Sequence, residues 1–140
     1  MLTKRTEDYL EAIYIIGEEK GFVRIKDIAK EVEVKPSTVI EMLLKLNEQG
    51  YVKYEKYGGL VMTHEGKVLA KSIKKRHDVF KSFLELINIP SEIANKDACE
   101  MEHKLNPITV EQLSHFVKFL EDEDSQEFLK DFEKYCKVTK

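Results

Sequence analysis

Long apolar runs are missing from this 140-residue chain. No stretch approaches the ~20 apolar residues that a helix needs to cross a bilayer. Met1-Leu2-Thr3-Lys4-Arg5 does not lead into the apolar segment of a secretory leader. The expectation is a soluble, cytoplasmic protein with no membrane partner. Cysteine is scarce too: Cys99 and Cys136 are too few for a disulfide framework, so reduced thiols are expected. Nor is there a large excess of one charge. A net charge of −3 argues weakly against nucleic acid as a partner, but it hides an asymmetry. Residues 1–75 carry 14 Lys/Arg against 12 Asp/Glu, whereas residues 76–140 carry 9 against 14. A mildly basic half joined to an acidic one suits a phosphate-contacting part beside a part with another task.

What is present is helical periodicity. Thr6 is predicted to cap a first helix running through Glu18, with Leu10, Ile13 and Tyr14 on one face and Asp8, Glu11 and Ile15 on the other. A short helix follows over Arg24 to Glu33, with Ile28, Ala29 and Val32 inward. Val34-Lys35-Pro36-Ser37 is a turn and a fresh start, since Pro36 suits a first helical turn and Ser37 can cap one. The third helix reaches about Gln49 with Val39, Met42, Leu43 and Leu46 inward, and Gly50 ends it. Tyr51 to Lys56 and Leu60 to Thr63 read as two strands around Tyr57-Gly58-Gly59.

Three helices and a β-hairpin are the layout of a winged helix-turn-helix. Ser37, Thr38, Glu41 and Lys45 are the exposed positions of its third helix, suited to a DNA major groove. Lys35 and Pro36 lie at its entrance, and Lys53, Lys56 and Tyr57 in the hairpin are placed for backbone or minor groove. An ordinary small α+β domain with a solvated surface is the plainer alternative.

The remainder reads as four helices. Thr63 caps a long one reaching Asn88, with Leu69, Ile73, His77, Phe80, Leu84 and Ile87 on its apolar stripe. An inward His77 is most often a satisfied core imidazole. Pro90 stops this helix, and Ser91 can cap the next, which carries Cys99, Glu102 and His103. Asn106-Pro107 opens another, and Ser125 the last. These helices carry more apolar stripe than a bundle of this size needs, which suits self-association around residues 91–120. Cys99, Glu102 and His103 at i, i+3 and i+4 would share one helix face. A thiolate, a carboxylate and an imidazole there form part of a shell for a divalent transition metal. Asp8 and Glu11 form a second acidic pair at i, i+3. In so charged a chain, each group also reads as solvated surface.

Over essentially its whole length the chain resembles the metalloregulators of the diphtheria toxin repressor family, above all their shorter, manganese-responsive branch. The resemblance rests on Thr6-Glu-Asp-Tyr-Leu-Glu-Ala-Ile-Tyr14, Asp27-Ile-Ala29, Pro36-Ser-Thr-Val39, Tyr54-Glu-Lys-Tyr-Gly-Gly-Leu60, Thr63-x-x-Gly66, Arg76-His77 and Glu102-His103. It implies a mainly α protein: an N-terminal winged helix-turn-helix over 1–63, then an all-helical dimerisation and metal-binding domain over 64–140. Longer members add an SH3-like domain; ending at Lys140, this chain is expected to be of the two-domain form. The implied activity is metal-dependent repression by a homodimer on a palindromic double-stranded DNA operator, controlling metal uptake genes.

The resemblance implies metal ligands at Asp8, Glu11, His77, Glu102 and His103. Cys99 stands where the manganese branch has glutamate; the iron branch has cysteine there but methionine in place of Asp8. The donor set is thus a hybrid, suited to Fe2+ or Mn2+, with Co2+ and Zn2+ able to substitute in vitro. The iron branch's ancillary site aligns with Lys81 and Asn95, which are poor donors. Two rival readings are a winged-helix regulator of an organic ligand or partner and, with less support, a metalloenzyme. The latter lacks any visible nucleophile motif or further acid/base pair.

Overall fold

The computed structural model describes residues 2–56 and 58–139; Tyr57, expected in the wing, lies outside them. Among the described residues are seven α-helices, a 3-10 turn and one two-stranded sheet. They form two compact units, residues 1–74 and 75–140, and the long helix α4 (His64–Leu86) begins in the first and ends in the second.

The first unit holds α1 (Lys4–Lys20), α2 (Ile25–Val32), α3 (Pro36–Glu48), β1 (Val52–Glu55) and β2 (Gly59–Met62). The cap of α1 is Thr3 rather than Thr6: Thr3 Oγ1 accepts from the Thr6 backbone N–H at 3.1 Å. Thr6 itself is buried one turn inside the helix. Between α2 and α3 the chain turns at Glu33, which adopts a left-handed conformation (φ 56°), and its N–H reaches the Ala29 carbonyl. Lys35 and Pro36 then open α3 with no side-chain cap, so Ser37 does not have the capping role expected of it and stands exposed. Gly50 (φ 82°) turns the chain into β1, which pairs antiparallel with β2 in the register Val52↔Met62 to Glu55↔Gly59.

Leu10, Ile13, Ile28, Val39, Leu43, Leu46, Val52 and Ile73 fill the core of this unit, where each large aliphatic side chain contributes roughly 1.5–3 kcal/mol by leaving water. Thr63 fastens the hairpin to α4: its hydroxyl donates to the Gly50 carbonyl at 2.7 Å and accepts from the Gly66 N–H at 3.1 Å. Gly66 is required by a close approach, because a Cβ there would lie 2.0 Å from the Tyr51 carbonyl oxygen.

The second unit contains the rest of α4, α5 (Ser91–Met101), α6 (Pro107–Glu121), a 3-10 turn (Glu123–Ser125) and α7 (Gln126–Val138). Asn106 caps α6 through Ile108 N–H at 2.9 Å. Pro90 rather than Ser91 stands at the N-cap of α5, and Ser125 begins α7 as expected, at its N-cap but without a side-chain capping bond; the two hydroxyls donate instead to Glu85 and to the Phe119 carbonyl. Phe80, Leu84, Ala94 and Ala98 make a small core, bordered by Phe83, Ile87, Met101 and Leu113. No described residue of α7 is buried.

Candidate metal centre and DNA-reading face

In the second unit, α4 delivers His77 and the end of α5 delivers Cys99 and Glu102. One ligand atom from each lies within 4.8 Å of the others, close enough for a shared cation at ordinary ligand distances. Glu102 is fully buried. Its Oε2 lies 3.1 Å from His77 Nδ1, and its Oε1 lies 3.1 Å from His103 Nε2.

These separations are close electrostatic approaches without hydrogen-bond geometry: His77 Nδ1 and both Glu102 oxygens are buried with no hydrogen-bond partner. A buried carboxylate left in that state is costly unless something else satisfies it. A divalent cation matches the need in charge and donor chemistry, so the residues fit a metal. The other ring nitrogen, Nε2, stands 2.8 Å from Asn95 Oδ1. If it donates there, the ring is fixed and Nδ1 faces the donors.

One helical stripe carrying Cys99, Glu102 and His103 together is not what forms. α5 ends at Met101 and Glu102 is its C-cap, so His103 falls beyond the helix. His77 stands at one carboxylate oxygen of Glu102 and His103 at the other, with Cys99 grouped on the His77 side. Asn95, discounted in the sequence as a poor donor, holds His77 instead. Only its place one turn before Cys99 hinted at that.

The His77 imidazole is pushed up from 6.5 to about 11, first by its contact with Cys99, then by Glu102, with Asn95 adding and burial opposing. In the metal-free chain it is therefore a cation beside a buried carboxylate. That proton is what an incoming ion must displace.

In the first unit, Asp8 and Glu11 lie half-buried on α1. The outer face of α3 presents Ser37, Glu41 and Lys45 exposed and Thr38 half-buried, with Lys35 and Pro36 exposed at its start. Lys56 is exposed after β1. A short turn between α2 and α3, with polar side chains leading the second of them, is the arrangement that enters a major groove.

A winged helix in one unit and a thiol–carboxylate–imidazole cluster around a buried glutamate in the other define a metal-responsive transcriptional regulator. Residues 1–60 match the family model for the iron dependent repressor, N-terminal DNA binding domain. Residues 63–127 match that for the iron dependent repressor, metal binding and dimerisation domain. The HTH-type transcriptional regulator MntR of Bacillus subtilis (strain 168) is 38% identical over 126 residues, 90% of this chain and 89% of that protein. MntR of Geobacillus kaustophilus (strain HTA426) is 40% identical over 135 residues, 96% of each chain.

Among solved structures, the manganese regulator SloR superposes with a TM-score of 0.72 at 30% identity, over 84% of this chain and 55% of that longer one. The metal-dependent transcriptional regulator MtsR gives 0.74 at 26% identity, again over 84% and 55%. The chain belongs to the iron-dependent repressor family. It is a metal-dependent DNA-binding repressor rather than an enzyme, with a DNA-binding domain followed by a domain for metal binding and dimerisation. No described helix is long and apolar enough to cross a membrane.

Proposed function

We propose that this chain is a cytoplasmic sensor of Fe2+ or Mn2+ that closes operators of metal uptake genes when the metal is plentiful. The DNA-binding part is assigned to residues 1–63 and the metal and dimer part to 64–140. His77, Cys99, Glu102 and His103 are the ligands supported by geometry. Asp8 and Glu11 are assigned as further oxygen donors on the sequence resemblance alone. The observation that carries this reading is Glu102, fully buried, approached by two imidazoles at 3.1 Å and hydrogen-bonded to neither.

When bound, a divalent cation would take the place of the His77 proton as the positive charge among these donors. The residues do the rest: Asn95 orients His77, Glu102 offers one oxygen to each side, and Cys99 adds a soft donor. A cation bound more tightly by the DNA-competent arrangement would favour it by that difference in affinity, typically ~1–3 kcal/mol. Two copies would then present their α3 helices to a palindrome at the ~34 Å spacing of successive major grooves.

Cys99 separates the two candidate metals. Thiolate favours Fe2+ over Mn2+, whereas the carboxylates accept either. Metal titration of the metal-free protein, read out by retardation of operator DNA, is expected to show Fe2+ (kept anaerobic) activating at least as well as Mn2+. Cys99→Glu should shift the preference toward Mn2+, and Glu11→Ala should abolish the response while the fold survives. DNA binding indifferent to every divalent cation would overturn the reading.

A further inference from the structure

The outward face of α3 carries one side chain that its polar neighbours do not explain. Ser37, Glu41, Leu44 and Glu48 fall at i, i+4, i+7 and i+11, a single stripe on the side opposite Val39, Leu43 and Leu46. Val39, Leu43 and Leu46 are completely buried, whereas Leu44 is 51% exposed. A leucine at the centre of a solvent-facing stripe, half of it left in water, gains far less from folding than its buried neighbours. Its position beside Glu41 on the helix that leads a helix-turn-helix gives it a use on binding.

We propose that Leu44 is a specificity-determining residue that packs on the C5-methyl group of a thymine in the major groove. This deepens the DNA-binding reading and rests on it. The chemistry of the stripe is unusual for a phosphate-seeking surface, since both Glu41 and Glu48 are anionic. A carboxylate facing base edges accepts from the cytosine N4 amino group and is repelled by the O6 and N7 acceptors of guanine. An aliphatic group in the same position finds only one apolar feature on the groove floor, the thymine methyl. Glu41 and Leu44 are separated by about 4.5 Å along the helix axis, little more than the ~3.4 Å step between bases, so the two would read neighbouring positions. The cationic side chains needed for phosphates lie off this stripe, at Lys35, Lys45 and Lys56, all exposed. Position and chemistry thus divide the work: lysines at the flanks for affinity, Glu41 and Leu44 at the centre for sequence.

The test begins with a random-sequence duplex library selected by the Mn2+-loaded full chain, which gives the preferred site. Each thymine of that site is then replaced by uracil, which lacks only the methyl group. The wild type is expected to bind about fourfold more weakly at one thymine in each half-site, the worth of one buried methyl group (about 0.8 kcal/mol). Leu44→Ala should bind the thymine and uracil duplexes equally at that position, with its fold retained because half of the side chain is already in water and alanine favours the helix. A wild type indifferent to every uracil, or a Leu44→Ala variant that keeps the full penalty, would overturn the assignment while leaving α3 as the DNA-contacting helix. Failure of the loaded protein to bind any duplex would instead overturn the underlying DNA-binding reading, and the assignment with it.

Discussion

The two compact units bury their side chains in different ways. In the first, three helices, the hairpin and the start of α4 close around a large aliphatic core, and few large apolar groups stay outside: Phe22, Leu44, Val61 and Val68. In the second, the core is small, its best-buried polar group is a carboxylate, and Ile93, Ile108, Phe116, Phe119, Phe128, Tyr135 and Val138 are exposed. The first therefore has what a self-sufficient domain needs. The second is short of two things, a partner for its apolar surface and hydrogen-bond partners for the buried oxygens of Glu102. A dimer supplies the first, and a metal ion takes the place of the second.

The sharpest way to break this comparison is to deny the second unit its partner. Ile108 and Phe119, 69% and 61% exposed, are on α6 and make small contributions to the core of the free chain. Burying such a side chain is worth roughly 1.5–3 kcal/mol, and a two-fold axis counts each substitution twice. Ile108→Glu or Phe119→Glu is expected to weaken the dimer by about two to four orders of magnitude, read by sedimentation across a concentration series. Val61→Glu, an equally exposed apolar position in the wing, should leave the assembly unchanged. Equal effects at all three positions would remove the distinction between the units.

A smaller effect, confined to the second unit, follows from His77. Its folded value of about 11 lies above the ordinary 6.5, so the contribution it makes to stability is fully present below pH 6.5 and is lost as pH rises through about 11. The metal-free protein should accordingly lose thermal stability on going from neutral to alkaline pH, and His77→Gln should flatten that slope. Metal affinity should run the other way, strengthening up to tenfold per pH unit as the imidazole proton is displaced. A metal affinity independent of pH between 6.5 and 8.5 would mean that His77 is not a ligand.

Much of this was legible in the sequence, and the exceptions have physical reasons. The Thr63 and Asn106 caps, the winged helix and the surplus of apolar stripe follow from local pattern, and the structure has them all. Thr6 and Thr3 are both good caps by composition; only burial of Thr6 against the helix decides between them. The division of ligands about Glu102 was hidden because spacing assumes that a helix continues, and α5 stops at Met101. Asn95 reads as a poor ligand, and in the structure it stands against the His77 ring rather than among the donors. Leu44 is hidden for the opposite reason, since a leucine in a helical pattern reads as core.

The smallest expected effect contrasts one residue of each unit. Glu33 and Asn88 are the non-glycine positive-φ residues described, at 56° and 69°. Each is exposed and each follows a helix, so neither conformation is demanded by packing of the side chain itself. The left-handed region costs an ordinary L-residue roughly 1–2 kcal/mol, but asparagine tolerates it through local hydrogen bonding. Glycine relieves that strain while giving back roughly 0.5–1 kcal/mol through the greater freedom of the unfolded chain. Glu33→Gly should therefore stabilise the protein by about 0.5–1 kcal/mol, whereas Asn88→Gly should be neutral or slightly destabilising. Denaturant midpoints compared at constant slope measure both. A gain at Asn88 equal to that at Glu33 would show that the helix-turn-helix corner stores no more strain than an ordinary helix end.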